Sequence, residues 1–163
     1  MKIIFLDIDG VLNLIPQGHD EFGGIFHSHF VNNLKRVIDE TGAKIVISST
    51  WRHDGLQRMK DMWEKRNLPG YVIDITPDCN DLFKEGSFNF LDEIDRGHEI
   101  EYWLNKHPEV KNYVILDDDN DFLSNQRGNF VRTANNINHP DCVDIGYGLT
   151  NECANLAIKI LKN

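Results

Sequence analysis

An apolar run, Lys2-Ile3-Ile4-Phe5-Leu6, stops at two aspartates one residue apart, Asp7 and Asp9, and Gly10 follows them. The run has the β-branched and aromatic content of a buried strand, and the glycine breaks it. Both carboxylates therefore fall where a parallel strand delivers side chains into a ligand crevice. Two acids so placed repel each other unless a cation or a shared proton holds them. A fold gains no stability from that arrangement, so chemistry is the better account of it.

The rest of the chain alternates strand and helix patterns, which predicts an α/β fold with a parallel sheet and helices on both faces. A loop rich in Gly, His and Pro runs from Asn13 to Ser28. Phe30, Val31, Leu34, Val37 and Ile38 then recur at helical spacing up to Gly42, and Lys44 to Ile47 forms a second strand. Asp54 is placed to cap the next helix, whose apolar stripe is Leu56, Met59, Met62 and Trp63. Tyr71 to Ile75 reads as a third strand, and residues 76–95 as loop with one short turn. A helix over about 97–107 ends before Pro108, and Asn112 to Leu116 forms a fourth strand. Phe130-Val131 makes a short fifth strand, and a last helix after Thr150 shows Leu156, Ile158, Ile160 and Leu161 as its apolar side.

With 163 residues, 40% apolar and 26% charged, the sequence fits a single domain, 1–163, with little room for a second. No stretch reaches membrane-spanning length and the start lacks a secretory pattern, so a cytoplasmic protein without membrane association is expected. The cysteines, Cys79, Cys142 and Cys153, have no C-x-x-C spacing and read as free thiols. The net charge of −9 gives no basic face for a nucleic-acid backbone. Lys60, Lys65 and Arg66 share their helix with Asp61 and Glu64, a solvated face of mixed sign. A calcium loop also begins D-x-D-G, but it needs a glutamate at loop spacing and flanking helices, and a strand precedes this one.

Asp7-Ile8-Asp9-Gly10-Val11-Leu12 after an apolar strand resembles the first motif of the haloacid dehalogenase (HAD) superfamily, mostly aspartate-nucleophile phosphatases. Three later segments resemble the remaining motifs in order. Ile45-Val46-Ile47 runs into a hydroxyl, with Ser48 first and Ser49 in reserve for a phosphoryl oxygen; the same hydroxyls would also serve as a helix cap. Arg96 directly precedes a helix where the superfamily places a cation, with Lys84 as runner-up; a surface pairing with Asp92 or Asp95 is its bland reading. Asp117-Asp118 ends the fourth strand in the acidic form, with Asp121 as an alternative second acid.

The likeness extends to small HAD domains of multidomain RNA-repair proteins. It rests on Phe5 to Asn13, Ser48-Ser49-Thr50-Trp51-Arg52, Arg96 to Leu104, Tyr113 to Asp118 and Gly148-Leu149-Thr150. It implies a three-layer Rossmann-like fold and a phosphate monoesterase in which Asp7 is the nucleophile and Asp9 the general acid and base. It also implies Mg²⁺ held by Asp7, the Asp9 backbone carbonyl, Asp117 and Asp118, and substrate phosphate held by Ser48 or Ser49 with Arg96. Neither Asn13–Ser28 nor residues 68–95 can form a sizeable cap, so a capless or minimal-cap enzyme with an open site is expected. An open site favours a large substrate, first a phosphorylated nucleic-acid end or a nucleotide, and no protein partner is required. A silent Mg²⁺-binding interaction module and a phosphotransferase remain the alternatives. Trp51 is expected in the core, Arg52 on substrate phosphate or a surface acid, and His27 and His29 as loop residues without metal.

Overall fold

The computed structural model describes residues 1–14, 18–78, 82, 86, 94–133 and 148–163. Its centre is a parallel sheet of five strands: β1 (Lys2–Leu6), β4 (Lys44–Ile47), β5 (Val72–Ile75), β6 (Asn112–Asp117) and β7 (Phe130–Arg132). Their order is β5-β4-β1-β6-β7, so the chain winds outward from β1 in one direction and then returns to wind outward in the other. The reversal falls between β1 and β6, where open α/β sheets form a crevice at the carboxyl ends of their strands.

Alternation along the central strands separates two cores. Ile4, Leu6, Ile45, Ile47, Val114 and Leu116 face α1 (Ser28–Thr41), α2 (Leu56–Lys65) and α4 (Asn151–Lys162). Ile3, Phe5, Val46 and Ile115 face the opposite side, where α3 (Arg96–Lys106) lays Ile100 and Trp103 against them. β1 is buried on both faces, as the apolar run Ile3 to Leu6 requires. The expected three-layer α/β architecture is what the chain adopts.

Several local expectations need correction. The stretch from Asn13 to Ser28 is not only loop: β2 (His19–Asp20) and β3 (Gly23–Gly24) pair antiparallel into a small hairpin. Asp54 does not cap α2; it ends a 3₁₀ turn, Thr50–Asp54, and Gly55 at φ 88° occupies the N-cap. His29 belongs to the first turn of α1, whereas His27 stays outside as its N-cap residue. In α4 the buried side is Ala154, Ala157, Ile158 and Leu161, and Leu156 is exposed. The small alanines, invisible to a pattern built on large side chains, let α4 pack closely on α1. Lys84, Asp92, Cys79, Cys142 and most of the loop assigned to 76–95 lie outside the described residues.

Candidate active site

Asp7 is the first residue past β1, and its N–H donates to the Leu116 carbonyl at 3.0 Å, so it closes the ladder onto β6. Asp117, fully buried, is the last residue of β6. The two carboxylates thus meet at the switch point because adjacent parallel strands end together there. Asp118 follows, and carboxylate oxygens of Asp7, Asp117 and Asp118 lie within 4.8 Å of one another. Among the described residues, this is the acid cluster that could hold a metal ion.

The loop after Asp7 turns sharply. N–H groups of Val11, Leu12 and Asn13 all donate to the Ile8 carbonyl, at 3.2, 2.8 and 3.0 Å. Gly10, at φ +74°, brings the turn against Asp118: a Cβ there would lie 2.2 Å from the Asp118 Cγ. Glycine is needed on both counts.

Arg96, at the first position of α3, donates to the Asp117 carboxylate and stands 3.5 Å from Asp7 Oδ1. Its start of helix is fixed from two sides. The Asp95 N–H donates to His98 Nδ1 at 3.1 Å, and the Gly97 carbonyl accepts from Gln126 Nε2 at 2.8 Å. Burial acts to lower the Arg96 pKa, but the charges of Asp117, Asp7 and Asp121 outweigh it and push the pKa up. Burial, resisted by Arg96 and the Ser49 hydroxyl, raises Asp7 to about 6. Burial and the Asp7 charge raise Asp117 to about 7, with Arg96 again opposing. Burial raises Asp118 as well. Among the described residues one cation, Arg96, answers the three acids Asp7, Asp117 and Asp118, which leaves the described cluster short of positive charge.

Both serines are buried, but they differ in what they meet. The Ser49 hydroxyl hydrogen-bonds the Asp7 carboxylate and accepts from the Trp51 N–H at 3.4 Å. The Ser48 hydroxyl has no hydrogen-bond partner among the described residues. Asp121 lies near Arg96, one of its oxygens buried and without a partner among the described residues, outside the three-acid cluster.

Three neighbours do what the sequence did not suggest. Asp9 is exposed, yet both its oxygens are engaged: Asn13 Nδ2 donates to Oδ1 at 2.9 Å and Trp51 Nε1 to Oδ2 at 2.8 Å. Trp51 is half-buried: its ring packs against the edge of the core at Phe26, while its N–H meets an acid. Arg52 touches neither solvent nor a surface acid. It is 5% exposed and donates to Glu99 Oε2 at 2.7 Å and to the carbonyls of Ser48, Thr76 and Pro77 at 2.7, 3.1 and 3.4 Å. A signal for this pair was available, since Glu99 sits beside Ile100 and one turn before Trp103, on the buried stripe of α3. An acid on such a stripe needs a buried cation.

The parallel sheet of order β5-β4-β1-β6-β7, with acids at the carboxyl ends of β1 and β6, is the architecture of the HAD class of α/β proteins, a class with a general hydrolase role. The family model of the HAD domain in Swiss Army Knife RNA repair proteins matches residues 3–138, and the chain belongs to that family. No curated protein and no solved structure matches the chain. Among the described residues no helix is long and apolar enough to cross a membrane.

Proposed function

We propose that the protein is a Mg²⁺-dependent phosphatase that hydrolyses a phosphate monoester through an aspartyl-phosphate on Asp7. The observation that carries this reading is the meeting of Asp7, Asp117, Asp118 and Arg96 at the switch point of the sheet. An Asp7 oxygen attacks phosphorus in line with the ester bond. As that bond breaks, Asp9 gives its proton to the departing oxygen, and then takes one from the water that attacks the aspartyl-phosphate. Free phosphate leaves and Asp7 is regenerated. Arg96 and the Ser49 hydroxyl, both already in contact with the acids, suit the non-bridging oxygens of the transferred group. Ser48, whose carbonyl is held by Arg52, supports the backbone of Ser49.

The three carboxylates form a hard, all-oxygen donor set, the kind Mg²⁺ prefers. Asp7, Asp117 and Asp118 with the Asp9 carbonyl would hold the ion, and it would offset the charge between an anionic nucleophile and an anionic ester. Membership in an RNA-repair family favours a phosphorylated nucleic-acid end or a nucleotide as substrate. The net charge of −9 favours recognition at the phosphate over a long backbone footprint.

The test is phosphate release, with Mg²⁺ and with chelator, from 3′- and 5′-phosphorylated oligoribonucleotides, mononucleotides, sugar phosphates and 4-nitrophenyl phosphate. Release that needs Mg²⁺ and disappears in a folded Asp7→Asn variant is expected. Asp9→Asn should lose about 10²–10⁴-fold on esters with poor leaving groups. Turnover retained by Asp7→Asn would refute the nucleophile. Mg²⁺ binding without release from any ester would favour an interaction module or a phosphotransferase awaiting its acceptor.

A further inference from the structure

We infer that Trp51 is a positioning residue for the general acid, an inference that rests on the phosphatase reading. Its indole N–H fixes the Asp9 carboxylate, and the β2–β3 hairpin holds the ring that carries it. Asp9 stands on irregular backbone at the surface, where a carboxylate would otherwise exchange rotamers. Two neutral donors from different elements, Asn13 Nδ2 at 2.9 Å and Trp51 Nε1 at 2.8 Å, take one lone pair from each oxygen. Each oxygen keeps a further lone pair, so the carboxyl can still carry the proton it must deliver.

The far side of the indole is covered by the hairpin. A Cβ on Gly23, which sits at φ +110°, would lie 3.2 Å from Trp51 Cη2, so the backbone there rests on the ring. Phe26 packs at 5.7 Å between ring centroids. The hairpin is tied in turn to the end of α2. Arg66 forks onto Asp20 at 2.9 and 2.6 Å and donates to the Gly23 carbonyl at 3.2 Å, while Lys65 meets Glu21 at 2.7 Å. A surface acid thereby inherits the rigidity of a helix through one aromatic ring. The acid matters because an alkoxide leaves only with a proton, whereas 4-nitrophenolate leaves without one.

The experiment compares kcat/KM for 4-nitrophenyl phosphate and for an alkyl phosphate that carries no base, so that lost stacking cannot imitate the effect. In Trp51→Phe the ring stays and the N–H goes. The ratio of alkyl to aryl kcat/KM should fall about tenfold, the worth of one hydrogen bond to a charged group. An equal fall on both esters, or no fall on either, overturns the positioning role. The contact is also read without turnover. Three indole N–H signals are expected, and the one missing from Trp51→Phe should move in Asp9→Ala while those of Trp63 and Trp103, bonded to Pro69 and Asp74, stay. If it stays with them, the bond to Asp9 is refuted. Wild-type protein that releases phosphate from no ester refutes the phosphatase reading itself, and with it the acid being positioned, an outcome distinct from either of these.

Discussion

Arg52→Met tests whether the guanidinium beside the site binds substrate or holds the fold together. Arg52 and Glu99 are 5% and 7% exposed, and their charges meet at 2.7 Å. The same guanidinium serves the carbonyls of Ser48, Thr76 and Pro77. Removing one partner of a buried ion pair costs about 3–5 kcal/mol, because the other charge is left without compensation. Burial already outweighs the attraction of Arg52 and raises Glu99 to about 7, from an ordinary value of 4.5. An acid raised on folding is more easily ionised when unfolded, so its ionisation costs stability between pH 4.5 and 7, and fully above that. Without Arg52 the cost at pH 8 grows, while at pH 5.5 Glu99 is neutral in both proteins. Urea unfolding should therefore show a loss of about 3–5 kcal/mol at pH 8 and a smaller one at pH 5.5. Arg52→Met with Glu99→Gln should recover part of the loss at pH 8 and flatten its pH dependence. A loss under about 1 kcal/mol, within reach of a surface substitution, would refute the buried-pair argument. So would a large rise in KM at unchanged stability, which would return Arg52 to the substrate.

Gly10→Ala should cost about 1–2 kcal/mol through its left-handed backbone alone, and it drives a methyl into the Asp118 carboxylate. The Mg²⁺ needed for half-maximal phosphate release should rise about tenfold or more as that oxygen is displaced; an unchanged melting temperature and Mg²⁺ requirement would refute the packing. Asp7 and Asp117, raised to about 6 and about 7, make folding of the metal-free protein less favourable as pH rises from 3.8 through those values. The metal-free protein should thus melt higher at pH 5 than at pH 7.5, by several degrees, provided the acid-side loss from ordinary carboxylates has not begun. Added Mg²⁺ should raise Tm more at pH 7.5 than at pH 5, since the ligands bind it deprotonated. Equal Mg²⁺ shifts at both pH values would count against the three-acid site.

The architecture was legible because its cause is local. Ile3 to Leu6 is apolar at every position, which only a strand covered on both faces tolerates, and helical stripes separate it from the strands that follow. The acids were legible for the same reason: Asp7 and Asp117 stand at the ends of buried strands, so their cost to the fold is visible in one dimension. The partners of those acids were not legible. Trp51 reaches Asp9 across 42 residues and Arg52 reaches Glu99 across 47, and both contacts depend on how the 3₁₀ turn after β4 is laid beside neighbouring elements. Periodicity carries no such information. The same limit applies to Ser48 and Ser49, adjacent hydroxyls past the end of β4, of which Ser49 meets Asp7 and Ser48 meets no partner among the described residues.

The site also shows why one acid is easy to read and its neighbour is not. Asp7 is buried against Asp117 and answered by Arg96, so its environment alone makes it the candidate for chemistry. Asp9 is exposed and held by two neutral donors; without Asp7 two residues earlier it would pass for a surface residue. The acid role proposed for it rests on what holds its direction rather than its charge. Asn13, Trp51, the hairpin over the ring and the Arg66–Asp20 fork beneath the hairpin all act to keep one exposed carboxylate pointing one way. A proton donor to a departing oxygen needs orientation and access to solvent together. Burial would supply the first at the expense of the second. A surface carboxylate clamped by two N–H donors supplies both, and among the described residues the ring that carries one of those donors is covered by a two-stranded hairpin.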